Sequence, residues 1–466
     1  MVDRLSPQDV SFLYAETAAT PLHVGGVAVL APPEVGFDYE RLVELIGQRI
    51  ALVPRFRQRV KWVPGHLANP VWVDDEHFDL TYHVRRSALP RPGSEEQLRE
   101  LVARLQSRRL DRTRPLWEAY LVEGLEGGRV ALVTKTHGAL VDGVAGVDLS
   151  TVLLDPDPTA RPLPDDDWQP RRTPGTVRLL AGALADAALR PTAAVADSAR
   201  TALLDARSTV ERTVDTAAGV ASSFRSVTRP GPTSALHVRT GPHRRFSTVA
   251  TDLEDYRRVR AAHGGTVNDI VLATITGALR TWLMTRGEPV TPRTTVRAVV
   301  PVSVQPGAAP RRAPGSRVAR YVVELPVGEG SPGVRLHQVR VAMRGHEESG
   351  RSVGAGTLVQ LSGFAPPTLH ALGVRAATGM TRRLSDLVLT NVPGPQVPMF
   401  AAGARLLQMY PVVPLAKGQA VSIGLTSYDG GVFYGLNADR DALPDVDVLG
   451  GCLVESLAEL VETPRP

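Results

Sequence analysis

Residues 116–143 read LWEAYLVEGLEGGRVALVTKTHGALVDG, and this stretch decides the fold class. Residues 116–125 and 129–136 are rich in Val, Leu and aromatic side chains and flank Gly127-Gly128, the pattern of two strands joined by a turn. The second strand runs into Lys135-Thr136-His137-Gly138-Ala139-Leu140-Val141-Asp142-Gly143, and helical spacing resumes over residues 143–154. A polar cluster at the end of an apolar strand, followed by a glycine and a helix, presents side chains where the chain turns. Two readings stand at this point. His137 is a hydrogen-bonded core histidine with Asp142 capping the next helix, or both belong to a reactive site.

Working outward, Ser94 and Gln97 form a capping-box pattern ahead of Leu98, Leu101, Val102 and Leu105, which share a helical face. Further on, residues 268–284 predict a strong helix with Val271, Ile275, Ala278, Leu279 and Trp282 on one side and Gly287 placed to end it. Residues 421–428 and 432–437 flank Asp429-Gly430-Gly431, a hairpin signature. Strands and helices are thus mixed in both halves, and the fold class is α/β with two mixed sheets of similar size. Residues 155–174 carry prolines at 156, 158, 162, 164, 170 and 174 and read as a linker. The alanine-rich residues 177–226, with leucines at 179, 180, 184, 189, 203 and 204, read as amphipathic helices broken near Pro191. They are either a connector strapped across the domains or a lipid-surface element. The division is residues 1–160 for a first half, 161–240 for the linker and helical connector, and 241–466 for a second half.

The chain of 466 residues exceeds one ordinary core, and 43% apolar with 22% charged residues is globular usage. The formal charge of +5 comes almost wholly from arginine, since Lys61, Lys135 and Lys417 are the lysines of the chain. With 5% aromatic residues and no basic block interleaved with them, nucleic acid is not an expected partner. Cys452 is the single cysteine, which excludes an intrachain disulfide and a cysteine metal cluster, and no metal site is expected. A reducing cytoplasmic compartment is the default. Residues 1–8 lack a signal-peptide core, and the most apolar helical run, residues 270–279, falls short of the roughly 18 residues of a membrane span. Membrane contact is therefore expected to be peripheral.

Several ordered motifs resemble one family. Leu5-Ser6-Pro7-Gln8-Asp9 with Phe12-Leu13-Tyr14, Pro21-Leu22-His23-Val24-Gly25, Val53-Pro54-Arg55-Phe56-Arg57-Gln58-Arg59 and Pro115-Leu116-Trp117-Glu118 resemble the N-terminal half of bacterial wax ester synthase/diacylglycerol acyltransferases. Val267-Asn268-Asp269-Ile270-Val271-Leu272-Ala273, Pro301-Val302-Ser303-Val304 and Asn391-Val392-Pro393-Gly394-Pro395 resemble that family's second half. The resemblance covers nearly the whole chain. It implies two chloramphenicol-acetyltransferase-like domains, each a mixed sheet flanked by helices, with an active-site tunnel at their interface. It further implies acyl transfer from acyl-coenzyme A, a substrate and not a cofactor, to diacylglycerol or a long-chain alcohol, at a membrane or lipid-droplet surface. No resident cofactor is implied.

In the family the signature is His-His-x-x-x-Asp-Gly, its second histidine being the general base. Alignment on Asp142-Gly143 puts His137 at the first histidine and Gly138 at the second, so the base is absent. This matters because an alcohol attacks a thioester slowly unless its proton is removed as the bond forms, and imidazole titrates near neutrality. Adjacent residues of an extended segment face opposite ways, so His137 is expected to face the core, although glycine at 138 permits unusual backbone angles. Pro115, Leu116 and Trp117 are read as packing first and tunnel lining second. Asn268 and Asp269 are read as helix cap and dipole partner, or as support for the site. Asn391-Val392-Pro393-Gly394-Pro395 is read as a rigid loop after an apolar strand over residues 387–390. Three functions compete: a weakened acyltransferase of this family, a catalytically inactive lipid-binding or scaffold protein, and an acyltransferase with an unrelated small acceptor.

Overall fold

In a computed structural model of the protein, residues 3–32, 37–141, 152–159, 166–185, 235–303, 318–349 and 385–464 are described. The first half supplies α1 (Pro7–Ala15), β1 (His23–Leu30), α2 (Tyr39–Arg49), β2 (Gln58–Lys61), β3 (Val71–Asp74), α3 (Leu80–His83), β4 (Val84–Ala88), α4 (Glu95–Ser107), β5 (Trp117–Glu123), β6 (Val130–His137) and α5 (Gly138–Val141). The second supplies β7 (Arg244–Asp252), α6 (Leu253–His263), α7 (Val267–Thr285), β8 (Val296–Ser303), β9 (Val318–Leu325) and α8 (Pro332–Ser349). It continues with β10 (Leu387–Pro393), β11 (Phe400–Ala401), β12 (Ala404–Val412), β13 (Val421–Tyr428), β14 (Gly431–Asp439) and α9 (Val446–Glu462).

Local chemistry sets the helix starts. Capping boxes open α1 (Ser6 with Asp9), α4 (Ser94 with Gln97) and α7 (Thr266 with Asp269), each satisfying orphan N–H groups reciprocally. The α7 box corrects the reading of Asn268 as a cap: Thr266 caps, because its hydroxyl stands at the right distance from Asp269 N–H, and Asn268 lies inside the first turn. The β13–β14 hairpin closes as expected through Asp429 and Gly430, at φ 44° and 83°, both in the left-handed region. The strand at β10 runs on to Pro393, so Asn391 and Val392 are paired in parallel with β13 and are not a loop.

Two six-stranded mixed sheets result, ordered β11-β12-β1-β6-β5-β4 and β7-β14-β13-β10-β8-β9. A four-strand pattern repeats in them. β1–β6 and β6–β5 are antiparallel and β5–β4 parallel; likewise β7–β14 and β14–β13 are antiparallel and β13–β10 parallel. The sheets do not follow the division by sequence, because β11 and β12, from residues 400–412, pair onto β1 and complete the first sheet. This crossing joins the halves: Leu406, Tyr410 and Val412 enter the first core together with Phe246, Tyr428 and Phe433. The second core is built on α7, whose Ile270, Val271, Ile275, Ala278, Leu279 and Trp282 are buried among residues of α6, α8 and α9. A narrow apolar cleft between the halves is bordered by Val27, Val29, Leu98, Val102, Phe246 and Tyr410.

The described part of the linker is tied down. Asp166 pairs with Arg57, Arg171 N–H donates to Asp74 at 3.0 Å, and Leu179 from helical residues 176–185 packs on Val71 and Val73. The remainder of the connector, including Pro191, lies outside the described residues. Among the described residues no helix is long and apolar enough to cross a membrane.

Candidate active site

The strand pair at residues 117–137 ends with His137, fully buried, as the last residue of β6. Its N–H donates to Leu116 O at 2.9 Å, and Gly138 N–H donates to Leu22 O at 2.9 Å. The backbone of Pro115-Leu116-Trp117 therefore holds the motif in place. Leu116 and Trp117 are wholly buried; the indole Nε1 donates to Phe56 O at 2.7 Å, and the ring stacks on His83 at 4.7 Å. Packing is thus their evident task.

Directly across the β1–β6 ladder from His137 stands His23, first residue of β1 and 2% exposed, the two rings meeting edge-on at 5.9 Å. Both face Glu16, which follows α1. His23 Nε2 lies 3.1 Å from Glu16 Oε1, and His137 Nε2 lies 3.7 Å from Oε2. Arg112 Nε donates to the same carboxylate at 2.9 Å and Arg109 Nη2 at 3.2 Å, with a further contact from Arg112 Nη2. Burial alone would raise the Glu16 carboxyl; His137 and His23 facing it outweigh that and hold it well below the usual range. Burial pushes the His23 imidazole down to about 3, with Lys135 opposing its charge as well, and burial likewise lowers His137. The resting cluster is one carboxylate, two arginine cations and two neutral imidazoles.

The hydrogen-bond pattern assigns the His137 tautomer. Ala139 N–H donates to Nδ1 at 3.1 Å, so Nδ1 is the acceptor and Nε2 carries the proton, which faces Glu16. Nδ1 is thus engaged, while Nε2, buried 3.7 Å from Glu16, has no hydrogen-bond partner among the described residues. His137 faces inward as the alternation along the strand requires. Gly138 takes no unusual backbone angle: it is the first residue of α5 and lies outside the positive-φ glycines, so the rotation that glycine permits is not used. Asp142 and Gly143 lie outside the described residues.

Lys135, also buried, donates to Leu105 O at 3.0 Å and to Arg108 O, closing the C-terminal end of α4; burial pushes its amine down to about 8. In the second half, Asp269 accepts from Thr266 N–H at 2.7 Å and Asn268 Oδ1 accepts from Asn391 Nδ2 at 3.2 Å. This amide bond joins two motifs far apart in sequence, but among the described residues no hydrogen bond or ion pair joins them to His137. Also among the described residues, no group of three or more His, Cys, Asp or Glu is placed to hold a metal ion. Glu16, Arg109 and Arg112 escaped the sequence reading. Glu16 falls between two motif segments, and arginines in an arginine-rich chain carry no signal of their own.

With this geometry in view, comparison with known proteins gives one direction. The profile of the wax ester synthase/diacylglycerol acyltransferase catalytic domain matches residues 5–271, and that of the corresponding C-terminal domain matches residues 315–461. A probable diacylglycerol O-acyltransferase, tgs1 of Mycobacterium tuberculosis H37Rv, is 34% identical over 464 residues, 99% of this chain and 96% of that one. Another, tgs3 of the same strain, is 47% identical over 266 residues, 56% of this chain and 97% of the relative. Among solved structures, the wax ester synthase/diacylglycerol acyltransferase of Marinobacter aquaeolei VT8 superposes with a TM-score of 0.67 at 30% identity, covering 98% of each chain. The first condensation domain of the CDA synthetase, at TM-score 0.58 and 17% identity over all of this chain and 97% of that one, shares the fold alone.

Proposed function

Because the chain belongs to the wax ester synthase/diacylglycerol acyltransferase family, we propose that it passes a fatty acyl group from coenzyme A to a diacylglycerol or long-chain alcohol, slowly, for want of a base. In this reaction the acceptor oxygen attacks the thioester carbonyl, the C–O bond forms and the C–S bond breaks. The hydroxyl proton ends on the departing sulfur. A positioned base that carries the proton is worth on the order of 10² to 10⁴ in rate. The observation that carries the reading is the pairing of an imidazole buried in the core with a bare neighbour. His137 accepts Ala139 N–H at Nδ1 and keeps Nε2 buried 3.7 Å from Glu16, and Gly138 brings no side chain. Acceptors of this kind partition into lipid, so we place the protein peripherally at a membrane or droplet surface.

The same observation favours a second reading, a lipid-binding protein that no longer turns over. Acyl-coenzyme A mixed with diacylglycerol, with free thiol and ester both measured, separates the two. Slow but equal release of thiol and ester supports the transferase. Tight acyl-coenzyme A binding with neither product supports the binding protein.

A further inference from the structure

Positive charge gathers where the two halves meet beside the motif. Residues 107–114, from the end of α4 to the approach of β5, carry Arg108, Arg109, Arg112 and Arg114 against Asp111 as their sole carboxylate. Ser107 Oγ accepts the N–H of Arg244 at 3.0 Å, which brings the start of β7 onto this loop. The segment before β7 is tied in turn to the turn before β13: Val238 N–H donates to Gly418 O at 3.0 Å, and Gly418 N–H donates to Thr240 Oγ1 at 2.9 Å. Residues 235–245 and 413–420 contain no carboxylate. A seam results with Arg108 and Arg109 on the side of the first half and Arg239 and Lys417 on the side of the second, all four exposed.

These charges are not cancelled locally. Among the described residues no carboxylate pairs with Arg108, Arg239 or Lys417, and Arg109 shares one oxygen of Glu16 with Arg112. Like charges also press on one another. Arg108 acts together with burial to push the Lys135 amine down, and Arg109 and Arg112 act in the same way on the His137 imidazole. An excess of one sign held on folded backbone draws the opposite charge to it.

We infer that this seam binds the phosphates of the acyl donor, the diphosphate and 3′-phosphate of coenzyme A, between Arg108 and Arg109 on one bank and Arg239 and Lys417 on the other. The inference rests on the acyl-transfer reading and deepens it. Diacylglycerol and long-chain alcohols carry no charge, so the donor is the reactant that a cationic seam can select. Guanidinium forks and a lysine ammonium are the groups that recognise phosphate oxygens. The reach is also right: Arg109 contacts Glu16, and Glu16 faces His137, so the seam begins one side chain from the motif. The pantetheine arm carries the thioester away from the phosphates, as a seam running from solvent toward the motif requires. None of the exposed large apolar side chains of the described residues lies in these segments, which sets the seam apart from a lipid-inserting surface.

The test is equilibrium binding of coenzyme A to the full chain and to the double variant Arg239→Gln with Lys417→Gln, beside dephospho-coenzyme A and vesicles of phosphatidylglycerol. The double variant is expected to bind coenzyme A about tenfold more weakly, the loss of one or two charge-assisted contacts. Dephospho-coenzyme A is expected to bind the unmodified chain more weakly than coenzyme A does, with the gap narrowing in the variant. Arg108→Gln, on the opposite bank, gives the same reading should the double variant not fold. Equal affinity of unmodified chain and variants for coenzyme A overturns the inference and leaves the acyl-transfer reading standing. Vesicle binding that falls in the variant while coenzyme A binding does not makes the seam a membrane contact and overturns it as well. An unmodified chain that binds neither coenzyme A nor acyl-coenzyme A overturns the acyl-transfer reading, and the inference with it.

Discussion

The ends of β6 and β14 occupy the same place in the repeated four-strand pattern, and they have been put to different use. At the first, His137 pairs across the ladder with His23; at the second, Asp439 pairs across the ladder with Arg244. Asp439 is saturated by its own backbone surroundings, accepting N–H groups of Gly241 at 2.5 Å, Ala442 at 3.0 Å and Asp441 at 3.1 Å. Arg244 spends its guanidinium on the carbonyls of Gly241, His243 and Ala19, the last in the loop between Glu16 and His23. The second end is a closed structural joint. The first is a titratable cluster in which, among the described residues, neither nitrogen of His23 nor Nε2 of His137 has a hydrogen-bond partner. The contrast teaches that topology supplies the location, and that the polar groups left unsatisfied there decide whether chemistry is available.

Glu16→Gln is expected to do the most damage, since it removes the carboxylate that, among the described residues, faces His23 and His137 and pairs with Arg109 and Arg112. Breaking such a pair costs about 3 kcal/mol; both arginines are partly exposed and recover some hydration, which places the loss toward that figure or below. Urea denaturation measures it. Asp439→Asn is expected to cost less, about 1 to 2 kcal/mol, because an amide oxygen still accepts N–H groups. If Asp439→Asn proves the more damaging, the joint and the cluster have been assigned the wrong way round.

The pH dependence of stability sharpens the same contrast. His23 and His137 have folded pKa values below the ordinary 6.5, so below that pH the unfolded chain takes up protons that the folded chain refuses. Stability is therefore lost as pH falls from about 6.5, by about 1 kcal/mol per pH unit for each buried imidazole. Glu16, lowered from 4.5, adds its own loss only below that value. A urea midpoint that falls between pH 7.5 and 5.5, with a shallower fall in His23→Asn, is the expected result; identical slopes would remove His23 from the account. The smallest effect is reserved for Asn391→Ala, which frees Asn268 Oδ1 at a partly exposed position and is expected to cost under about 1 kcal/mol. A larger loss in melting experiments would mean that this amide pair carries more of the second half than its one hydrogen bond suggests.

Much of this is legible in the sequence. The capping box at Ser94 and Gln97, the Gly127-Gly128 turn and the Asp429-Gly430 hairpin depend on neighbours in sequence, and local physics fixes them. What depends on distant contacts was not legible. Nothing in residues 400–412 announces that they complete the first sheet, and nothing around Glu16 announces two histidines and two arginines gathered from 7 to 121 positions away. Thr266 took the cap assigned to Asn268 because the box partner, Asp269, lies three residues from Thr266 and only one from Asn268. Of the motif itself, the sequence placed His137 correctly toward the core.

The central claim, which is our proposal, is an acyl-transfer site without its base, with His137 buried in the core and Gly138 bare. It is tested most directly by measuring kcat for ester formation by the unmodified chain beside Gly138→His. The account predicts a rise on the order of 10² to 10⁴ with KM little changed. An unmodified chain that already turns over as fast as Gly138→His would contradict it, because some group other than a side chain at 138 would then be taking the proton.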